Sequence, residues 1–350
     1  MHRPRAFRLR TAGGCQAAGG RRRTFARDAR DFAAQLGAAR GAGTQAAVKR
    51  RTESAAPQLP RLTHARAPLT REVEVLDEHG ARDLISIPAE RDLTIYVDRR
   101  ELVTLMTLGA QPELLVLGYL LNQRLVKSAF DIESITVDWE VGAAAVKTHA
   151  GIDRIEERTA KKVVTTGCGQ GSVFGELMAD IDRIELPPTR MTQAQLYALV
   201  NAIRLQESTY KSAGSVHGCA LFTLGDEGGA AQAEMQIFVE DVGRHNAIDT
   251  IAGWMAMQPR EGDGALGAER VFYTTGRLTS EMVIKSAQMG VPIVVSRSGM
   301  TQMGYDVAQR VGLCAIGRAT NRRFVCYAGA DRLVLQPELA QARVISESPQ

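Results

Sequence analysis

The spacing of apolar and polar positions changes period several times along the chain, and each change predicts an element. Asp92 to Asp98 (DLTIYVD) alternates and predicts a strand, with Arg100 to Leu105 as its hairpin partner. Pro112 opens a predicted helix in which Leu114, Leu117, Gly118 and Leu121 fall on one face at i, i+3, i+4, i+7. Ile132 to Val137 returns to a strand, and Cys219 to Leu224 and Glu234 to Val239 predict two strands joined by a Gly-rich loop. Ile248, Ile251, Ala252 and Met255 then set out a helix over Asn246 to Met257, followed by a loop over 258–269. Val271 to Thr275 and Pro292 to Ser296 predict strands; Ser280 to Met289, ended by Gly290, and Thr301 to Val311, ended by Gly312, predict helices. Leu313 to Gly317 and Phe324 to Ala328 are the last expected strands. Strands and helices alternating at this spacing predict an α/β fold with a mixed, partly parallel sheet flanked by helices.

Charge divides the chain unevenly. Residues 1–66 hold 15 Lys/Arg against 3 Asp/Glu, leaving 28 bases and 36 acids for the rest, so the net charge of +4 hides a local +12 and −8. Only nine residues of that segment are large and apolar, too few to offset the entropy of ordering it. It is therefore expected to be a disordered basic tail, ahead of one domain over 67–337 and a C-terminal tail over 338–350. A solvated tail or an over-extended start is favoured over a nucleic-acid-binding arm or a transit peptide. The acidic balance of the remainder argues against nucleic acid as a partner. The apolar run Leu114 to Leu121 is far short of the roughly 18 residues of a membrane span. Five scattered cysteines do not make a disulfide framework, which predicts a reducing, cytoplasmic setting.

Three strand-to-loop junctions share one design. Glu240 to Asn246 (EDVGRHN), Thr274 to Glu281 (TTGRLTSE) and Ser296 to Thr301 (SRSGMT) each set a glycine beside cations or hydroxyls. Glycine admits close approach to the backbone, and a helix N-terminus offers free N–H groups to an anion. Ligands of open α/β sheets gather at the carboxyl ends of the strands. Arg244, His245, Gly276, Arg277, Ser280, Arg297 and Ser298 are accordingly candidate contacts to a phosphorylated ligand. Gly214 and Ser215 place His217 on a loop with exposed donors, which favours ligand contact over a structural histidine. The chain has neither a Walker-type lysine loop nor an intact GxGxxG before a helix, so ordinary nucleotide binding is not supported.

A protein-ligated metal is not expected. His217-Gly-Cys219 resembles half of a zinc deaminase motif but lacks its Glu and a following PCxxC. Cys219, Cys314 and Cys326 lie in apolar strand segments, the setting of small core residues. Cys168, between glycines in Thr165 to Ser172 (TTGCGQGS), is instead placed for reactivity; an ordinary tight turn is the competing reading.

With these motifs in order, the chain resembles the FdhD family of formate dehydrogenase accessory sulfurtransferases, over about residues 70–337. The most specific segments are EDVGRHNA (240–247), GRLTSEM (276–282) with Lys285, and Ser296-Arg-Ser298; Ile316 to Arg318 and Val325 to Tyr327 also fit. The resemblance implies a cytidine deaminase-like core without zinc chemistry, and a homodimer. It implies transfer of persulfide sulfur from a cysteine desulfurase to the molybdenum bis-guanine-dinucleotide cofactor, required for formate dehydrogenase activity. On this resemblance Cys168 is the persulfide carrier, and the cofactor-binding stretch is Arg318, Ala319, Thr320, Asn321, Arg322 and Arg323. The family often has CxxC in the loop, whereas here Gly171 stands in the second position. That departure leaves Cys168 alone or with another thiol such as Cys219, and keeps open a chaperone that binds the cofactor without carrying sulfur.

Overall fold

The computed structural model describes residues 58–152, 181–206, 208–227, 230–259 and 269–341. Structure begins at β1 (Arg61–Leu62), paired in parallel with Ser134 and Ile135. Thr63 and Ala65 donate to the Glu113 carboxylate at 2.6 and 2.7 Å, and Thr63 accepts from the Val137 N–H. The boundary expected at residue 67 thus falls too late: the segment is poor in apolar residues, but a neighbouring strand edge and a buried carboxylate hold its backbone.

A hairpin of β2 (Thr70–Leu76) and β3 (Arg82–Pro88) follows. The next elements are β4 (Arg91–Val97), β5 (Arg100–Thr107), α1 (Pro112–Asn122), β6 (Ile132–Asp138) and β7 (Ala143–Thr148). They build a five-stranded sheet in the order β1-β6-β7-β4-β5. Past β8 (Met191–Thr192) comes α2 (Gln193–Leu205), opened by a capping box between Thr192 and Gln195, and then the short α3 (Thr209–Ala213).

The remainder alternates as its sequence predicts. It runs through β9 (His217–Glu227), β10 (Ala230–Asp241), α4 (Arg244–Met257), β11 (Arg270–Thr274), α5 (Ser280–Gln288) and β12 (Ile293–Ser296). It continues with α6 (Gln302–Val311), β13 (Cys314–Thr320) and β14 (Arg323–Ala328), then β15 (Leu333–Val334) beside β8 and α7 (Glu338–Gln341). The expected C-terminal tail therefore begins with a helical turn. Gly312 closes α6 in the left-handed conformation, φ 65° and ψ 32°. The second sheet is six-stranded and mixed, in the order β10-β9-β11-β12-β13-β14, with β11, β12 and β13 parallel.

Helices cover both faces of this sheet. Ile248, Ile251, Met282, Val283, Val307 and Val311 from α4, α5 and α6 pack on one face, and Leu196, Leu199 and Val200 from α2 on the other. On the five-stranded sheet, Leu115, Val116, Leu117 and Leu120 of α1 pack against Leu93, Ile95, Ile132 and Ile135. The expected apolar face of α1 is partly displaced, since Leu114 and Leu121 are only half-buried. The cause is a second covered side. A Cβ on Gly118 would lie 1.6 Å from the Asp249 carbonyl oxygen, and one on Gly253 2.0 Å from that of Leu114, so the backbones of α1 and α4 touch. A helix covered on two sides has no single apolar stripe.

Candidate functional site

The order of the six-stranded sheet decides which loops meet. Parallel β11, β12 and β13 end on one edge, and antiparallel neighbours bring the start of β9 and the end of β10 to that same edge. His217, the loop into Arg244, Gly276, Ser298 and Arg318 are thus aligned across five strands, about 19 Å at roughly 4.8 Å per strand. Hydrogen bonds tie neighbouring loops: Thr275 N–H to the Gly218 carbonyl (2.9 Å), Ser296 Oγ to the Gly276 carbonyl (2.6 Å), and Arg318 N–H to the Ser298 carbonyl (2.8 Å).

Two helices start here without side-chain caps. Gly243 precedes α4, and Thr279, which precedes α5, leaves its buried hydroxyl without a partner. Arg244 is 5% exposed, its Nε has no hydrogen-bond partner, and no carboxylate among the described residues pairs with it. A Cβ on Gly276 would come within 2.7 Å of Arg244 Cδ, so glycine makes room for this stem. The nearby Asp241 carboxylate is engaged elsewhere: it accepts from the N–H groups of Leu108 and Gly243, from Thr107 Oγ1 and from Asn246 Nδ2. A buried guanidinium without a counter-charge beside uncapped helix N-termini is an electrostatic setting for an anion.

Behind Arg244 lies an ion network. Lys285 Nζ is 2.9 Å from Asp249 Oδ2 and 3.3 Å from Glu281 Oε1, and Asn122 Nδ2 donates to Asp249 at 2.6 Å. Burial pulls the Lys285 ammonium down, but Asp249 and Glu281 outweigh it and keep the group charged. His245 Nε2 is 3.3 Å from Glu281 Oε2, yet the contact is too poorly directed for a hydrogen bond. Burial, then the Lys285 and Arg244 charges, push His245 down to about 2, so its imidazole is neutral and the contact is not an ion pair. His217 is also held below its usual range, by burial and then by Arg244.

The predicted contacts divide by position. Arg244, His245 and Gly276 are buried in the edge; Arg277, Arg297 and Arg318 are exposed along it; His217, Ser280 and Ser298 are half-buried there. Gly214 (φ 65°) and Ser215 (φ 51°) make the left-handed turn into His217. The residues of the stretch 318–323 lie in different settings. Strand alternation turns Ala319 into the core under α2, while Arg322 donates to the Leu339 carbonyl and stacks on Tyr197. Thr320, Asn321 and Arg323 are exposed around the β13–β14 turn, where Asn321 has φ 53°. Sequence reasoning missed Thr274 and Tyr327. Thr274 Oγ1 accepts from the Gly276 N–H, and the Tyr327 ring would lie 2.7 Å from a Cβ on Gly317.

Cys168, the expected reactive thiol, lies outside the described residues, as does Cys15. Cys219 is fully buried, donates to Thr274 Oγ1 at 3.3 Å, and is pushed up to about 12 by burial. It is unsuited to recruitment as a second nucleophile. Among the described residues no group of three or more His, Cys, Asp or Glu side chains is placed to hold a metal, and no helix is long and apolar enough to cross a membrane.

Fold and site together define an α/β protein whose mixed sheet carries a glycine-rich, basic edge. The model of the FdhD/NarQ family matches residues 88–334. The chain belongs to that family. It is 28% identical over 251 residues to the sulfur carrier protein FdhD of Listeria monocytogenes serotype 4b, covering 71% of this chain and 91% of that protein. It is 26% identical over 265 residues to that of Halalkalibacterium halodurans, covering 75% and 93%. A solved structure from Desulfotalea psychrophila, assigned as a formate dehydrogenase accessory protein, shares the fold with TM-score 0.57 at 23% identity, over 76% of this chain and all of that one.

Proposed function

We propose that this chain is a sulfur carrier: it takes persulfide sulfur from a cysteine desulfurase and passes it to the molybdenum bis-guanine-dinucleotide cofactor needed by formate dehydrogenase. The observation that carries the reading is Arg244, buried beside the uncapped starts of α4 and α5 with no counter-charge among the described residues. That arrangement suits a diphosphate of the cofactor, which is cargo here. Exposed Arg277, Arg297 and Arg318 extend the basic edge toward further negative charge. Family membership and the names of the relatives support sulfur as what is carried.

Cys168 is the proposed carrier, from the family's motif position. Its thiolate attacks the outer sulfur of the desulfurase persulfide; the S–S bond there breaks, the desulfurase leaves as thiolate, and Cys168 holds S–SH. Function in a reducing cytoplasm and as a homodimer belong to the same proposal. Gly171 favours a second reading, a chaperone that holds the cofactor and carries no sulfur. Intact-protein mass spectrometry after incubation with a cysteine desulfurase and cysteine separates the two. A gain of one sulfur, about 32 Da, mapped to Cys168 and absent in Cys168→Ala, is the expected result. Guanosine diphosphate binding with no added sulfur would replace the carrier with the chaperone.

A further inference from the structure

Two buried charged groups stand three residues apart at the start of α4, in opposite settings. Arg244 has no carboxylate partner among the described residues, whereas Asp241 is surrounded by donors. Its Oδ1 accepts from the Gly243 N–H at 2.9 Å and from Asn246 Nδ2 at 2.8 Å. Its Oδ2 accepts from the Leu108 N–H at 3.0 Å and from the Thr107 hydroxyl. An ionised carboxylate offers about four lone-pair sites, and these donors fill them, two on each oxygen. Three of the four partners are N–H groups, which can only donate, so the arrangement fits the charged form. Burial raises the Asp241 carboxyl, and the hydrogen bonds, that from Thr107 foremost, oppose it.

Two of these donors come from the other sheet. Thr107 ends β5, 134 positions before Asp241 in the chain. Its Oγ1 accepts from the Gly109 N–H at 3.1 Å and gives its own proton to Asp241. Asn246 Nδ2 joins the same two segments, since it also donates to the Met106 carbonyl at 2.7 Å. The end of β5 is thereby fastened to the turn that launches α4, of which Arg244 is the first residue.

We propose that Thr107 is a positioning residue of the Arg244 site: it holds the Asp241 carboxylate on the end of β5 and so keeps the Arg244 charge available to an anionic ligand. The role deepens the cofactor-binding reading and rests on it. The long Arg244 stem can fold back over three residues, and a carboxylate with open lone pairs is the strongest partner a guanidinium finds within a chain. Such a pair would neutralise Arg244 and remove the ligand's charge partner. Thr107 and Asn246 supply the two side-chain donors that prevent it, one to each carboxylate oxygen. Gly276, whose Cβ would come within 2.7 Å of Arg244 Cδ, leaves the stem its place at the edge instead.

The test uses the full chain with guanosine diphosphate as the probe, its affinity measured by calorimetry and folding checked by the urea midpoint. Thr107→Val keeps the shape of the side chain and removes the donor; Thr107→Ser keeps the donor. Each is made in the parent and in the Arg244→Met background, which closes a double-mutant cycle. Thr107→Val is expected to weaken binding about fivefold or more in the parent, and Thr107→Ser to bind as the parent does. In the Arg244→Met background Thr107→Val is expected to change nothing further, a result that a merely structural role would not give. Should Thr107→Val fail to fold, Asn246→Ser, which takes the side-chain donor from the other oxygen, is read in the same cycle. An unchanged affinity in Thr107→Val, a loss as large in Thr107→Ser, or an equal loss in both backgrounds overturns the positioning role and leaves the Arg244 site standing. Binding by Arg244→Met as tight as the parent's overturns the site itself, and the role with it.

Discussion

Replacing Lys285 with Met keeps the length of the side chain and removes the cation that lies between Asp249 and Glu281. Lys285 and Asp249 are 0% exposed and Glu281 is 15% exposed. The variant leaves the Asp249 carboxylate fully buried, with the Asn122 amide as its remaining donor among the described residues. Breaking a buried pair in this way costs about 3–5 kcal/mol, a large share of a total stability of about 5–15 kcal/mol. The loss carries a sign in pH. Burial already pushes Asp249 above its ordinary value, and removing Lys285 takes away the attraction that opposes this. A carboxyl raised in the folded state contributes stability below its unfolded value, about 3.9, and loses it as pH rises through the folded value. The deficit of Lys285→Met is thus largest at neutral pH and shrinks toward pH 5. Lys285→Met/Asp249→Asn recovers most of it, since Glu281 reaches solvent. Urea unfolding followed by circular dichroism at pH 7 and 5 measures both. A midpoint equal to that of the parent at pH 7, or a deficit identical at the two pH values, would refute the argument.

Other perturbations test separate parts of the structure. Gly118→Ala forces α1 and α4 apart and is expected to cost about 3 kcal/mol or more, read as a lowered Tm; an unchanged Tm would contradict the backbone contact. Arg244→Met removes an unpaired buried charge, so the apo protein should be no less stable in urea while guanosine diphosphate affinity falls about tenfold or more. Equal affinities by calorimetry would remove Arg244 from the binding edge. Deleting residues 1–66 takes two donors from buried Glu113 that deleting 1–57 leaves, and should be less stable than the shorter deletion by about 2 kcal/mol; equal urea midpoints would contradict this. Iodoacetamide at pH 8 on the native protein should leave Cys219 unlabelled, because its thiol is buried and held near 12; rapid labelling would contradict its sealed position.

The second half of the chain was largely legible because its elements carry their own period. Ile248, Ile251, Ala252 and Met255 mark α4, Gly312 marks the end of α6, and each strand from Val271 onward is a short apolar run between turn signals. The first half was less so. Arg61 and Leu62 become a strand only because β6 offers an edge, and α1 shows no clean stripe because a sheet and a second helix cover it from two sides. The glycine junctions could be read as ligand loops, but nothing local says that they share an edge.

What the sequence determined by itself is the type of element at most positions, the charge split between 1–66 and the rest, and the family, through EDVGRHNA and GRLTSEM in order. Tertiary structure decided the site. Strand order brought His217, Arg244, Gly276, Ser298 and Arg318 to one edge, and alternation along β13 separated Arg318 from Ala319. It also sealed Cys219 in the core. Periodicity is a property of neighbouring residues and survives in the one-dimensional record. Burial and counter-charge depend on which distant residues arrive alongside, and only the packed chain specifies that.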